Sequence, residues 1–168
     1  MSISMYQASI PVFVRILGNL STILDKGLAH AEAKKIDPSV FVSARLAPDM
    51  HPLARQIQIA SDAAKGAAAR LAGVDVPSFP DTETTFGELR ERIAKTVDFL
   101  KGVTPDQVDG SEERTITLKI RGEDVHFPGQ AFLLFFALPN FFFHVTTAYD
   151  ILRHNGVELG KMDFLGRP

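Results

Sequence analysis

Residues 127–154 read FPGQAFLLFFALPNFFFHVTTAYDILRH and hold seven of the chain's thirteen phenylalanines. So much apolar surface in one run must be buried against other elements, and the rest of the chain is organised around it. Its densest part carries a single charge-capable side chain, His144, with Asn140 four residues earlier. Residues four apart lie on one face of a helix, so this pair can enter a single site. A polar pair in so apolar a helix requires either a buried hydrogen-bond arrangement or a ligand. Ala131 to Leu138 is apolar throughout, but Pro139, Asn140 and His144 interrupt the run. That is short of the ~20 residues of a membrane span, so no membrane association is expected.

The other long patterns are helical too. Ile10, Phe13, Leu17, Leu20, Leu24 and Leu28 recur at three- and four-residue steps, which predicts a helix from Met5 to about Ala33. Pro11 leaves two starts open, one near Ser9 and one earlier with a bend at the proline. Pro38 to Leu46 predicts a short helix capped by Asp37. Asp49 is the expected cap of a second long helix that runs to Ala72 and stops at Gly73, with the stripe Leu53, Ile57, Ala60, Ala64, Ala67 and Leu71. A third is expected from about Thr82 to Gly102, its face Glu88, Arg90, Glu91, Arg92 and Lys95 reading as solvated surface. Thr104 to Glu113 reads as polar linker. Ile116, Leu118 and Ile120 alternate with Thr115, Thr117 and Lys119, predicting a strand; Arg121 to Asp124 is the expected turn and Val125 to Phe127 the returning strand. The last long helix follows Gly129 and ends at Asn155-Gly156, and an extended tail is expected to pack through Leu159, Phe164 and Leu165. The fold class is therefore all-α, a four-helix bundle with a small β-hairpin before the last long helix.

Composition narrows function by exclusion. At 168 residues, 45% hydrophobic and 23% charged, the chain is expected to be one soluble domain over residues 1–168. A net charge of −2 and no recognition-helix pattern give no case for nucleic acid. The chain has no cysteine, so disulfides and thiolate chemistry on its own side chains are excluded. The opening MSISMYQASIPVF has no basic region or cleavage-like end, so no signal peptide is expected and the expected location is cytoplasmic.

Among the five histidines, His30 and His154 fall in last helical turns, where the helix dipole favours a cation, and His126 falls in the hairpin. His51 and His144 differ. His51 sits at the start of the second long helix, and Ala137, Asn140, His144, Thr147 and Ile151 form a stripe beside the main seam of Phe141, Val145, Ala148 and Leu152. His51, Asn140 and His144 form a candidate site for a divalent metal of the zinc or nickel type, which favours imidazole. The alternative is a core histidine hydrogen-bonded to Asn140 or Thr147. No nucleophile elbow and no glycine-rich phosphate loop is present.

The segments FFFHVTTAYDILRHNGVELGKMDFLG, SMYQASIPVFVRILGNL and LAPDMHPLARQIQIASDAAKGAAARLAG together resemble an uncharacterised bacterial family of unknown function within the DinB/YfiT-like superfamily of metalloenzymes. The resemblance covers essentially the whole chain and implies an up-down-down-up bundle, commonly a homodimer. In that superfamily three histidines hold a metal, one near the start of the second helix and two from an H-x-x-x-H pair on the fourth. His51 matches the first and His144 the last, while the middle position is Asn140, giving N-x-x-x-H. Characterised relatives include thiol-dependent transferases and isomerases. Two readings follow: an altered metal-dependent, thiol-transferase-like enzyme, or a non-catalytic, stress-associated dimeric bundle that binds a small molecule. Metal analysis separates them.

Overall fold

The computed structural model describes residues 3–166. Helix α1 spans Met5–Lys34 and starts in a capping box: Ser4 Oγ accepts the Gln7 N–H at 3.3 Å and Gln7 Oε1 accepts the Ser4 N–H at 3.3 Å. Pro11 therefore lies inside one helix, and the earlier of the two possible starts is the one that forms. Helix α2 spans Pro38–Val42, with Asp37 accepting the Ser39 N–H at 2.9 Å, and stops short of the expected Leu46.

Helix α3, Leu53–Ala72, is capped by Pro52 without a side-chain bond, not by Asp49 as the sequence predicts. The Leu53 N–H, free in an ordinary first turn, donates to the Ala44 carbonyl at 2.9 Å, which ties the start of the helix to the chain just after α2. His51 consequently lies in the segment before the helix. Helix α4, Phe86–Lys101, starts later than expected because Thr85 and Glu88 form its capping box, and Glu83 is drawn instead to Arg92.

Arg92 corrects the reading of that face as solvated. It is 2% exposed, and its guanidinium meets Asp62 at 2.8 Å, Asp81 at 3.0 Å and Glu83 at 3.0 Å, while Lys65 also pairs with Asp62 at 2.8 Å. Both cations lie over the Phe79 ring, at 4.9 Å for Lys65 and 5.9 Å for Arg92. The cluster fixes the crossover between α3 and α4 to both helices.

The expected polar linker contains a short helix α5, Pro105–Val108, that buries Val108. Strands β1, Thr115–Ile120, and β2, Glu123–Pro128, pair antiparallel, with Ile120 opposite Glu123. Their turn is two residues, Arg121 and Gly122, with φ of 53° and 89°. Positive φ at both central positions is the hairpin geometry that matches strand twist, which is why the turn is tighter than the four residues expected. Ile116 and Leu118 face the bundle.

Helix α6, Gly129–Phe132, runs through a π-helical turn, Leu133–Ala137, into α7, Leu138–His154. The Leu138 N–H reaches back to the Leu133 carbonyl. The extra residue in that turn accommodates Pro139, which has no N–H to donate and whose ring would crowd the carbonyl four residues back. By length and composition, residues 129–154 could cross a membrane, at a mean hydropathy of 1.6, so the interruption expected at Pro139 does not lower the run as far as the sequence reading supposed. The tail is not extended: α8, Lys161–Leu165, forms there, burying Leu159 before it and packing Phe164 while Leu165 stays exposed.

Contacts fix the direction of each helix. Phe13 meets Phe141 edge-on with centroids 5.0 Å apart, and Gly27 lies against Leu152, so α1 and α7 run parallel. Arg90 pairs with Asp25 at 2.9 Å and Phe86 packs on Gly27, while Tyr6 meets Asp109, so α4 runs opposite to α1. Gln58 bonds Glu83 at 3.0 Å and Ser61 bonds Thr96 at 2.6 Å, so α3 runs with α4. The long helices α1, α3, α4 and α7 are therefore up, down, down and up. Gly27 permits this: a Cβ there would stand 3.1–3.3 Å from Phe86 and Leu152, which meet at that point from two helices.

Candidate functional site

His144 lies on α7 about two turns beyond the π-helical turn, at the border between core and surface that its wheel position predicts. Its ring is half-buried and stands at 89° to that of Phe143, centroids 5.2 Å apart. Its Nδ1 lies 2.7 Å from Gln56 Oε1, across the interface with α3. The partner is thus neither Asn140 nor Thr147; the Thr147 hydroxyl donates instead to the Phe143 carbonyl at 2.7 Å. Gln56, in turn, donates from Nε2 to the backbone carbonyl of His51 at 3.0 Å. One buried amide thereby links His144 to the residue just before α3.

Burial pushes the pKa of His144 down to about 4, helped by the neighbouring charges of His51 and Arg55. At neutral pH the ring is uncharged, which is the state a metal ligand or a general base requires. His51 is exposed, and Asn140 is half-buried one turn before His144 on the same helix. Neither side chain makes a hydrogen bond to another described residue. The structure thus brings His51 and His144 into one neighbourhood, with Asn140 on the adjoining turn. Among the described residues, no three His, Cys, Asp or Glu side chains gather as a metal cage.

The remaining histidines stand apart. His30 is edge-on to Phe41 at 5.8 Å, His126 bonds Thr117 at 2.9 Å, and His154 is exposed in the last turn of α7. A surface cavity of 580 Å³ between the end of α1 and residues 156–158 is lined by Lys26, His30, Lys34 and Glu158 and shares no residue with the His51–His144 site.

Two site residues are not among those the sequence pointed to. Gln56 and Arg55 both sit in the first turn of α3. Gln56 had a visible signal: it is a polar residue on the buried face, one turn before Ala60. Arg55 had none, because its influence on His144 depends on the approach of α7 to α3.

Comparison with known proteins agrees with this architecture. The structure is similar to the crystal structure of a DinB family member protein from Shewanella denitrificans, with 43% sequence identity and a TM-score of 0.89. That match covers 97% of this chain and 92% of the other. No functionally curated protein matches the sequence. Residues 5–165 match the family described as Domain of unknown function (DUF1993). With this fold, and with that match over nearly all of its length, the chain belongs to the DUF1993 family and has a DinB-like fold.

Proposed function

We propose that this protein is a metal-dependent enzyme of the thiol-transferase-like type, with an altered donor set of His51, His144 and Asn140. The observation that carries the reading is His144, a half-buried imidazole held neutral near a second imidazole that makes no hydrogen bond among the described residues. Two imidazoles fit a zinc- or nickel-type ion, and the Asn140 amide oxygen is a weaker third donor. The donor set fits such an ion, less tightly than three imidazoles would. A divalent metal bound there would act as a Lewis acid toward a substrate atom on its open side.

The protein's own residues have separable roles in this reading. His144 and His51 supply nitrogen donors. Asn140, whose side chain makes no hydrogen bond among the described residues, supplies either an oxygen donor or a hydrogen bond that orients a substrate. Burial around His144 keeps water from stabilising its charged form, so the ring stays available at neutral pH. Arg55, ion-paired with Asp81, adds a nearby positive charge that further disfavours the charged form of His144.

Elemental analysis of protein purified without chelator tests the proposal. Zinc or nickel is expected near one equivalent in the wild type and strongly reduced in His144→Gln. The absence of a divalent metal from the wild type, together with no uptake on adding zinc or nickel, contradicts it and leaves a non-catalytic ligand-binding bundle as the reading.

A further inference from the structure

Gln56 is 1% exposed, and a side-chain amide so deeply buried must spend its oxygen on a donor and its nitrogen on an acceptor. Here both ends are committed, one to His144 Nδ1 at 2.7 Å and the other to the His51 carbonyl at 3.0 Å. The orientation of the amide follows from chemistry alone. A peptide carbonyl only accepts, so the group beside it is the NH2 of Gln56. The amide oxygen must then face His144. That oxygen also only accepts, so the proton between it and His144 belongs to Nδ1. The reverse orientation would set two carbonyl oxygens against each other with no proton between them, leaving both unsatisfied in a buried place.

The consequence is a defined tautomer. With its single proton on Nδ1, the neutral ring has its free lone pair on Nε2. A histidine in water favours the opposite arrangement, with the proton on Nε2, so the protein is imposing the less common form. Metal-binding histidines commonly donate their second ring nitrogen to a carboxylate, a carbonyl or a water, which fixes both ring angle and tautomer. A glutamine oxygen can do the same without adding a negative charge. The same amide holds the backbone of His51, so one side chain restrains both imidazole-bearing positions of the candidate site from opposite ends.

We propose that Gln56 is the positioning residue of this site, fixing His144 in the Nδ1–H form through its oxygen and holding the His51 backbone through its nitrogen. Its importance for metal binding rests on the function proposed above; its control of the tautomer does not.

The test uses the metal-free full-length protein at neutral pH. Long-range 1H–15N correlation spectra distinguish the two tautomers, with His144 assigned by the signals lost in His144→Gln. The wild type is expected to show Nδ1–H. Gln56→Glu keeps an acceptor and should retain it, while Gln56→Leu removes the acceptor and should turn the ring to Nε2–H. Zinc titrations of the same three proteins should show Gln56→Leu weakened at least about tenfold and Gln56→Glu, which keeps the acceptor for His144 but loses the donor to the His51 carbonyl, weakened less. Nε2–H in the wild type, or Nδ1–H persisting in Gln56→Leu, overturns the assignment. A Gln56→Leu protein that changes tautomer yet binds zinc as tightly as a zinc-binding wild type overturns the positioning role toward the metal and leaves the tautomer assignment standing. Should Gln56→Leu fail to fold, the wild-type and Gln56→Glu spectra decide the matter. If the tautomers behave as expected and none of the three proteins takes up zinc, the metal reading fails while the control of His144 by Gln56 stands.

Discussion

A guanidinium can be buried only if charge of opposite sign meets it on several sides, and Arg92 has Asp62, Asp81 and Glu83 around it. Replacing it by leucine would leave these carboxylates without their shared partner and should lower stability by ~3 kcal/mol, read by urea denaturation; an unchanged midpoint would contradict the role given to the cluster. His144 poses the opposite electrostatic problem, since its surroundings favour the neutral form. Its folded pKa, about 4, is below the ordinary value of 6.5. As pH falls through 6.5 the unfolded chain takes up a proton that the native ring refuses until near 4. Stability is therefore complete above pH 6.5 and declines toward pH 4, by at most ~1.4 kcal/mol per pH unit. The difference between wild type and His144→Gln should show this decline, and parallel pH profiles would count against it. At this scale the sequence showed His144 as anomalous because it is the one charge-capable side chain in the densest apolar run. It hid Arg92, because a charged residue on a charged helix face looks solvated until the loop that covers it is seen.

Elements were legible where one local rule settles them. The stripes of α1 and α3, the glycine stop after α3 and the alternation of β1 all follow from periodicity or from a single residue's backbone preference. Starts and short pieces were harder to read, since they depend on distant partners. The Leu53 N–H takes its acceptor from Ala44, and α5 and α8 exist because they bury or pack Val108 and Phe164. Gly129 shows how tightly such pieces meet. A Cβ there would lie 2.0 Å from the Ser111 backbone carbonyl, so α6 can reach residues 111–114 only with glycine at this position. Gly129→Ala must push α6 and its neighbouring loop apart. It is expected to lower the thermal midpoint by several degrees, whereas Gly18→Ala, which meets nothing within 4 Å, should not. Equal midpoints for the two variants would contradict the close approach.

For the whole molecule, the up-down-down-up course places the start of α3 beside the middle of α7, and this alone brings His51 near His144. The sequence held the three candidate residues but not Gln56, because what links them is packing between helices. The bundle also leaves Phe135 78% and Phe143 56% exposed, with Leu134 next to Phe135 exposed as well. The expected homodimer would cover such surface. Sedimentation should show a dimer at high micromolar concentration and a monomer for Phe135→Glu; a monomeric wild type would contradict it. The central claim is that His51, Asn140 and His144 form a metal site weakened by an amide, and titration of the wild type and Asn140→His with zinc and nickel tests it most directly. A third imidazole replaces a poor donor in the variant. The wild type should bind one equivalent and the variant should bind it at least about tenfold more tightly, whereas equal and negligible uptake by both would show that no metal site is there.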